Sequence, residues 1–142
     1  MAQEIDNRFS KFGTVSFTGL TRVNDFIDYL EKGKVEGTKC KKCGTRYFPP
    51  RADCAKCLVS DMEWFEVEGK GKLLTFSTLT FAPTGFGQDV PYTLACVDYG
   101  DYRVFGRMDK SVPVNDMAVG MELKTVVNKL ENDQLNFVFQ KA

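Results

Sequence analysis

Four of the five cysteines in this 142-residue chain fall between positions 40 and 57, as Cys40-Lys-Lys-Cys43 and Cys54-Ala-Lys-Cys57, a spacing of C-x2-C-x10-C-x2-C. Each Cys-x-x-Cys pair can form a tight knuckle that offers two thiolates to one ion, and four thiolates in a tetrahedral array suit zinc. Iron suits the same donors, and spacing alone leaves it open. Four thiolates close the coordination shell, so a metal held this way fixes a shape and does not act as a Lewis acid. Gly44 follows the first knuckle and lets the backbone turn its N–H groups toward the sulfurs. Leu58 holds the matching place after the second, where the same turn has to form without glycine. The module has few apolar residues, so the metal is expected to supply most of its folding free energy.

Other reactive groups are scarce. The chain has no histidine, which removes Ser-His and Cys-His nucleophile activation and the commonest general base. Cys96 lies between Ala95 and Val97 and reads as a small buried hydrophobe. Catalysis by this chain alone is therefore not expected. Between the knuckles stands Tyr47-Phe48-Pro49-Pro50-Arg51. Its prolines stiffen the backbone, either as a turn that closes the module or as a strip that displays Phe48 and Arg51 to a ligand. Arginine there would suit phosphate or carboxylate.

The formal charge is zero and the isoelectric point near 6.3, but the charge is uneven. Residues 32–56 carry eight Lys and Arg, Lys42 among them, against Glu36 and Asp53, a balance of +6. A tetrathiolate zinc would leave about +4 there. A local basic patch on a neutral chain fits a phosphate-bearing ligand or an acidic partner surface better than nucleic acid, and it fits simple solvation of a small module equally well. No apolar run approaches the roughly 20 residues needed to cross a bilayer. The start, MAQEIDNRFSKFG, lacks the basic and apolar regions of a secretory signal, so the expected location is cytoplasmic, where clustered thiols bind metal.

The elements that must position these groups emerge from periodicity. Residues 1–20 read as an extended arm dotted with Phe9, Phe12, Val15 and Phe17. Val23, Phe26, Ile27 and Leu30 recur at helical spacing, which predicts a short helix over 22–32 with Thr21 as its cap and Gly33 at its end. Trp64, Phe65 and Val67 predict a short strand, expected to pack between the metal module and the barrel. Strands are then expected over 72–81, 92–98, 102–108, 121–127 and 135–139. Tyr99-Gly100-Asp101 marks a hairpin, and 83–91 is a Gly- and Pro-rich loop flanked by Phe81 and holding Phe86. Five strands with a long link between the third and fourth most economically make an OB-fold barrel, although an SH3-like barrel or small sandwich has the same periodicity. The fold class is mainly β, with arm and helix over 1–37, zinc ribbon over 38–62 and barrel over 63–142.

The run GKVEGTKCKKCG, YFPPR, the second Cys-x-x-Cys and GKGKLLTFST, with APTGF, PYTLACVD, RVFGR and VGMEL further on, resembles the DUF35 family, which joins a rubredoxin-like zinc ribbon to an OB-fold. The resemblance covers nearly the whole chain from Thr21. It departs at Ala55, where the family often has proline. The family implies association with acyl-CoA metabolism, as non-catalytic subunits beside thiolases, aldolases or hydratases. The arm and the FAPTGF loop look similar to the subgroup that forms the small subunit of benzoylsuccinyl-CoA thiolase in anaerobic toluene degradation. On that footing Cys40, Cys43, Cys54 and Cys57 hold structural zinc. Phe48, Pro49, Pro50, Arg51, Lys42, Phe81 and Phe86 become candidates for contact with a CoA ester or with a thiolase-like catalytic partner. No nucleic acid or membrane is expected among the partners. The competing readings are a single-strand nucleic-acid-binding module and a free-standing acyl-CoA binder.

Overall fold

The helical pattern from Val23 yields one short helix, α1 (Asp25–Glu31), which buries Phe26, Ile27 and Leu30. It begins three residues later than the predicted start at 22, because Thr21 is used differently. The Thr21 carbonyl accepts from Asn24 Nδ2 at 3.0 Å, and Asn24 takes the N-cap position. Gly33, at φ 81°, ends it as expected. The computed structural model describes residues 4–15 and 20–142, and Phe17 lies outside the described residues. No helix among them is long and apolar enough to cross a membrane.

Arg8–Lys11 of the arm forms a 3-10 turn, not the extended run expected there, and the strands form two sheets. In the first, β1 (Glu36–Cys40) lies between β2 (Arg46–Tyr47) and β3 (Met62–Glu66), with both pairings antiparallel. Met62–Glu66 pairs with β1 from end to end, Glu36 opposite Glu66 and Cys40 opposite Met62. The strand expected at the head of the barrel segment is thus a ribbon strand, because β1 is its hydrogen-bonding partner. Gly37 permits this packing, since a β-carbon there would come within 2.5 Å of the Tyr47 carbonyl and 2.8 Å of the Phe65 ring.

The second sheet closes into a barrel in the order β4 (Gly71–Leu79), β5 (Tyr92–Asp98), β6 (Arg103–Met108), β8 (Leu135–Lys141), β7 (Glu122–Lys129). These are the five expected strands, and closure settles the barrel against the open sandwich. The ladder between β4 and β5 shifts register between Leu73 and Thr75, the bend that a long first strand requires. Along β5 burial alternates strictly, with Thr93, Ala95 and Val97 inward. Cys96 therefore points to the outer face and is half-buried, which corrects its reading as a core residue.

Strand β6 meets β8 only at Arg107–Val138 and Met108–Phe139. Part of the remaining gap is filled by the arm, where Phe12 bridges Leu135 and Gly13 donates its N–H to the Leu135 carbonyl at 2.7 Å. Phe9, Phe12, Phe26, Phe48 and Phe137 form one ring cluster at this junction, with neighbouring centroids 5.2–6.5 Å apart. It joins arm, helix, ribbon and barrel. From successive positions of β3, Phe65 meets Tyr102 edge-on at 4.9 Å, and Trp64 packs against Tyr29 of α1 at 5.1 Å. Phe65 thus packs ribbon to barrel as expected, whereas Trp64 packs ribbon to helix.

Candidate metal centre and contact residues

The two knuckles are built alike. Gly44 donates its N–H to the Cys40 carbonyl at 2.8 Å, and Leu58 to the Cys54 carbonyl at 2.9 Å. Cys40 and Cys54 in turn donate to Thr45 and Val59, both at 2.9 Å. Both turn residues take left-handed backbone, Gly44 at φ 76° and Leu58 at φ 55°. A side chain in that region costs on the order of 1–2 kcal/mol, so the second knuckle forms without glycine at an energetic cost.

The turns bring the four sulfurs together. Cys40, Cys43, Cys54 and Cys57 place them all within 4.8 Å of one another, with Cys43 and Cys54 at 3.6 Å. Tetrahedral zinc at about 2.3 Å from each sulfur needs S···S separations of about 3.8 Å. The donor set fits one such ion, and four thiolates fill a tetrahedral shell. Charge argues the same way. The Tyr47 hydroxyl, 3.3 Å from Cys54 Sγ, draws that thiol down to about 6, while contact with Cys43 pushes Cys57 up to about 12. Thiols in mutual contact oppose one another's ionisation, and a divalent cation among them removes the conflict.

Tyr47 is a supporting residue that the sequence reading, with its proline-stiffened insert, does not single out. Its hydroxyl accepts the Ala55 N–H at 3.1 Å and faces Cys54, so it ties the insert to the second knuckle. Only the tertiary turn that brings β2 beside Cys54 reveals it. Tyr47→Phe should weaken zinc binding about 10- to 100-fold, as other losses of a ligand's hydrogen-bonding partner do. Competition titration with a chromophoric chelator reads this directly.

The insert resolves into two unlike halves. Phe48 turns inward onto Phe137 at 5.2 Å and Phe26 at 6.3 Å, so of the two readings of the insert the closing turn describes Phe48 and the displayed strip does not. The chain bends at Phe48 and Pro49, with Pro49 exposed and Pro50 half-buried. Arg51 is exposed and presented from a pinned backbone. Its N–H donates to Thr38 Oγ1 at 2.7 Å, and its carbonyl accepts from the same hydroxyl at 2.8 Å. The guanidinium lies 5.2 Å from the Tyr47 ring centroid. Lys42 is exposed on the first knuckle.

Phe81 and Phe86 also separate. Phe81 is 84% exposed, whereas Phe86 is half-buried with Arg107 over its ring at 5.5 Å. Arg107 stacks on Tyr92 at 4.4 Å and pairs with Asp89 at 2.8 Å, fastening the 83–91 loop to β6. Arg51 and Lys42 thus belong to the ribbon, while Phe81 and Phe86 belong to a loop between two barrel strands.

A ribbon with a four-sulfur cluster on a closed five-stranded barrel defines a class of protein: a two-module chain with four thiols placed for one metal ion and no histidine to activate a nucleophile. The ribbon matches the model described as ChsH2, rubredoxin-like zinc ribbon domain, over residues 28–63. The barrel matches ChsH2, C-terminal OB-fold domain, over 64–128, and the two matches meet inside β3. The chain belongs to the DUF35 family. It is 34% identical over 99 residues to a DUF35 domain-containing scaffold protein of Methanocaldococcus jannaschii, covering 68% of this chain and 70% of that one. A subunit of benzoylsuccinyl-CoA thiolase from Thauera aromatica, BbsA, is 29% identical over 76 residues, 53% of this chain and 51% of the relative. A chain of the solved Ltp2-ChsH2(DUF35) aldolase shares the fold at TM-score 0.68 and 18% identity, covering 80% of this chain and 89% of its own length.

Proposed function

We propose that this chain is a non-catalytic, zinc-containing accessory subunit of a heteromeric acyl-CoA complex of the thiolase or aldolase type. Cys40, Cys43, Cys54 and Cys57 hold the zinc, which braces the ribbon and performs no chemistry. One observation carries the non-catalytic part: the densest cluster of reactive side chains among the described residues is four sulfurs gathered for a closed shell, in a chain without histidine. The relatives support the setting, since they are named as scaffold proteins and as a thiolase subunit. Benzoylsuccinyl-CoA thiolase is the specific case that the BbsA likeness suggests. The chain works in the cytoplasm, where CoA esters and reduced thiols coexist.

In this reading Arg51 faces the phosphates of a CoA ester at the subunit boundary, and exposed Lys42 and Phe81 contact the catalytic subunit. Affinity purification from the native host, followed by mass spectrometry, tests the role. A thiolase- or aldolase-type chain at fixed stoichiometry is the expected result, and a monomeric chain with no such companion refutes it. Within the complex, Arg51→Ala should raise KM for the CoA substrate about tenfold, the worth of one charge-assisted phosphate contact, with kcat held within about twofold.

A further inference from the structure

Leu58 strains this fold and gains no burial in return. Gly44 meets the same backbone demand in the first knuckle with no side chain at all. At Leu58 an isobutyl group is held in the left-handed region while 85% exposed to water. Among the described residues, two cations stand free of any ion pair near it: Lys56 is exposed two positions before it and Lys42 is exposed on the other knuckle, where Lys41 is paired with Asp61 at 3.5 Å. Both knuckles close on sulfurs within 4.8 Å of one another, so these two free lysines and the leucine share one end of the ribbon.

We infer that Leu58 is a docking knob, seated in a single apolar pocket rimmed by Asp and Glu on the catalytic partner protein, with Lys42 and Lys56 meeting that rim. The inference rests on the accessory-subunit reading and names a contact within it. A lone leucine is too small an apolar face to hold a lipid surface, which takes a broad amphipathic face or an acyl chain. A protein pocket can desolvate one side chain fully, and a metal-braced turn presents it with little left to order on binding. The lysines then steer the approach.

The test uses the zinc-loaded full chain and the purified catalytic partner at 0.15 M salt. Leu58→Gly should raise the Kd of the complex about tenfold or more. The free variant should melt no lower than the parent, because the left-handed strain is gone. Lys56→Glu should slow association and flatten its salt dependence. Binding of Leu58→Gly within twofold of the parent overturns the inference while leaving the accessory role standing. Failure of the parent chain to bind any thiolase- or aldolase-type partner refutes the accessory role itself. Leucine-dependent binding to phosphatidylserine vesicles would replace the protein pocket with a lipid surface and also overturn the inference.

Discussion

Cys54→Ser is expected to release the metal and unfold the ribbon while the barrel persists. Cys54 is 1% exposed, accepts the Cys57 N–H at 3.4 Å and faces the Tyr47 hydroxyl, so the remaining three thiolates lose both a ligand and the turn that arranges them. Structural zinc in small fingers contributes about 10–16 kcal/mol at neutral pH, as much as a whole domain's net stability. The ribbon offers little to replace it, because β2 is two residues long and Cys40 and Cys54 are themselves the buried apolar groups near the knuckles. Elemental analysis should fall from about one zinc per chain to near none. Amide exchange should lose protection in β1 and β3 and keep it in β5 and β7. Acid should imitate the substitution. The ligands bind as thiolates, so the metal's contribution is present at neutral pH and disappears as the pH falls. Cys96→Ser, on the outer face of β5, is the control and should change stability by less than about 0.5 kcal/mol.

Phe137→Ala should cost about 3 kcal/mol, near the lower limit for phenylalanine truncation because the ring is only half-buried. Its ring touches Phe12 of the arm, Phe26 of the helix and Phe48 of the ribbon, and it fills the space over Gly106. Loss of this one side chain loosens three elements from the barrel at once. Thermal unfolding should drop by roughly 10 °C. A double-mutant cycle with Phe48→Ala should show coupling of about 0.5–1.5 kcal/mol, the worth of an edge-to-face pair, if the ribbon is seated through that contact. Additivity of the two would mean that the ribbon is held elsewhere.

The metal cluster is legible in the sequence because its determinants are local: two knuckles, each needing only a short turn and a residue able to take positive φ. The barrel strands are legible because half-burial writes itself as alternation, and the hairpin at Tyr99–Asp101 because Gly100 marks it at φ 95°. The hidden features depend on pairing across long stretches of chain. Trp64 and Phe65 look the same whether their strand joins the barrel or the ribbon, and only the register with β1 decides it. The stiff prolines beside Phe48 leave open whether it is displayed or closes the module, because stiffness says nothing of direction, and the ring finds Phe137 far along the chain. Cys96 sits among apolar neighbours in the sequence, yet the two-residue pleat turns it outward. Tyr47 supports the metal through a hydroxyl whose target lies seven residues on, around two bends.

The proposed division of labour is that a metal fixes the ribbon, the phenylalanine cluster seats the ribbon on the barrel, and a partner chain does the chemistry. The most direct measurement replaces zinc by cobalt(II) and records the visible absorption with and without saturating CoA and acyl-CoA. A closed four-thiolate site predicts a tetrahedral sulfur-ligand spectrum that no CoA species alters. A spectrum that shifts on adding CoA or its ester would mean an open coordination position, and would contradict the structural role assigned to the metal.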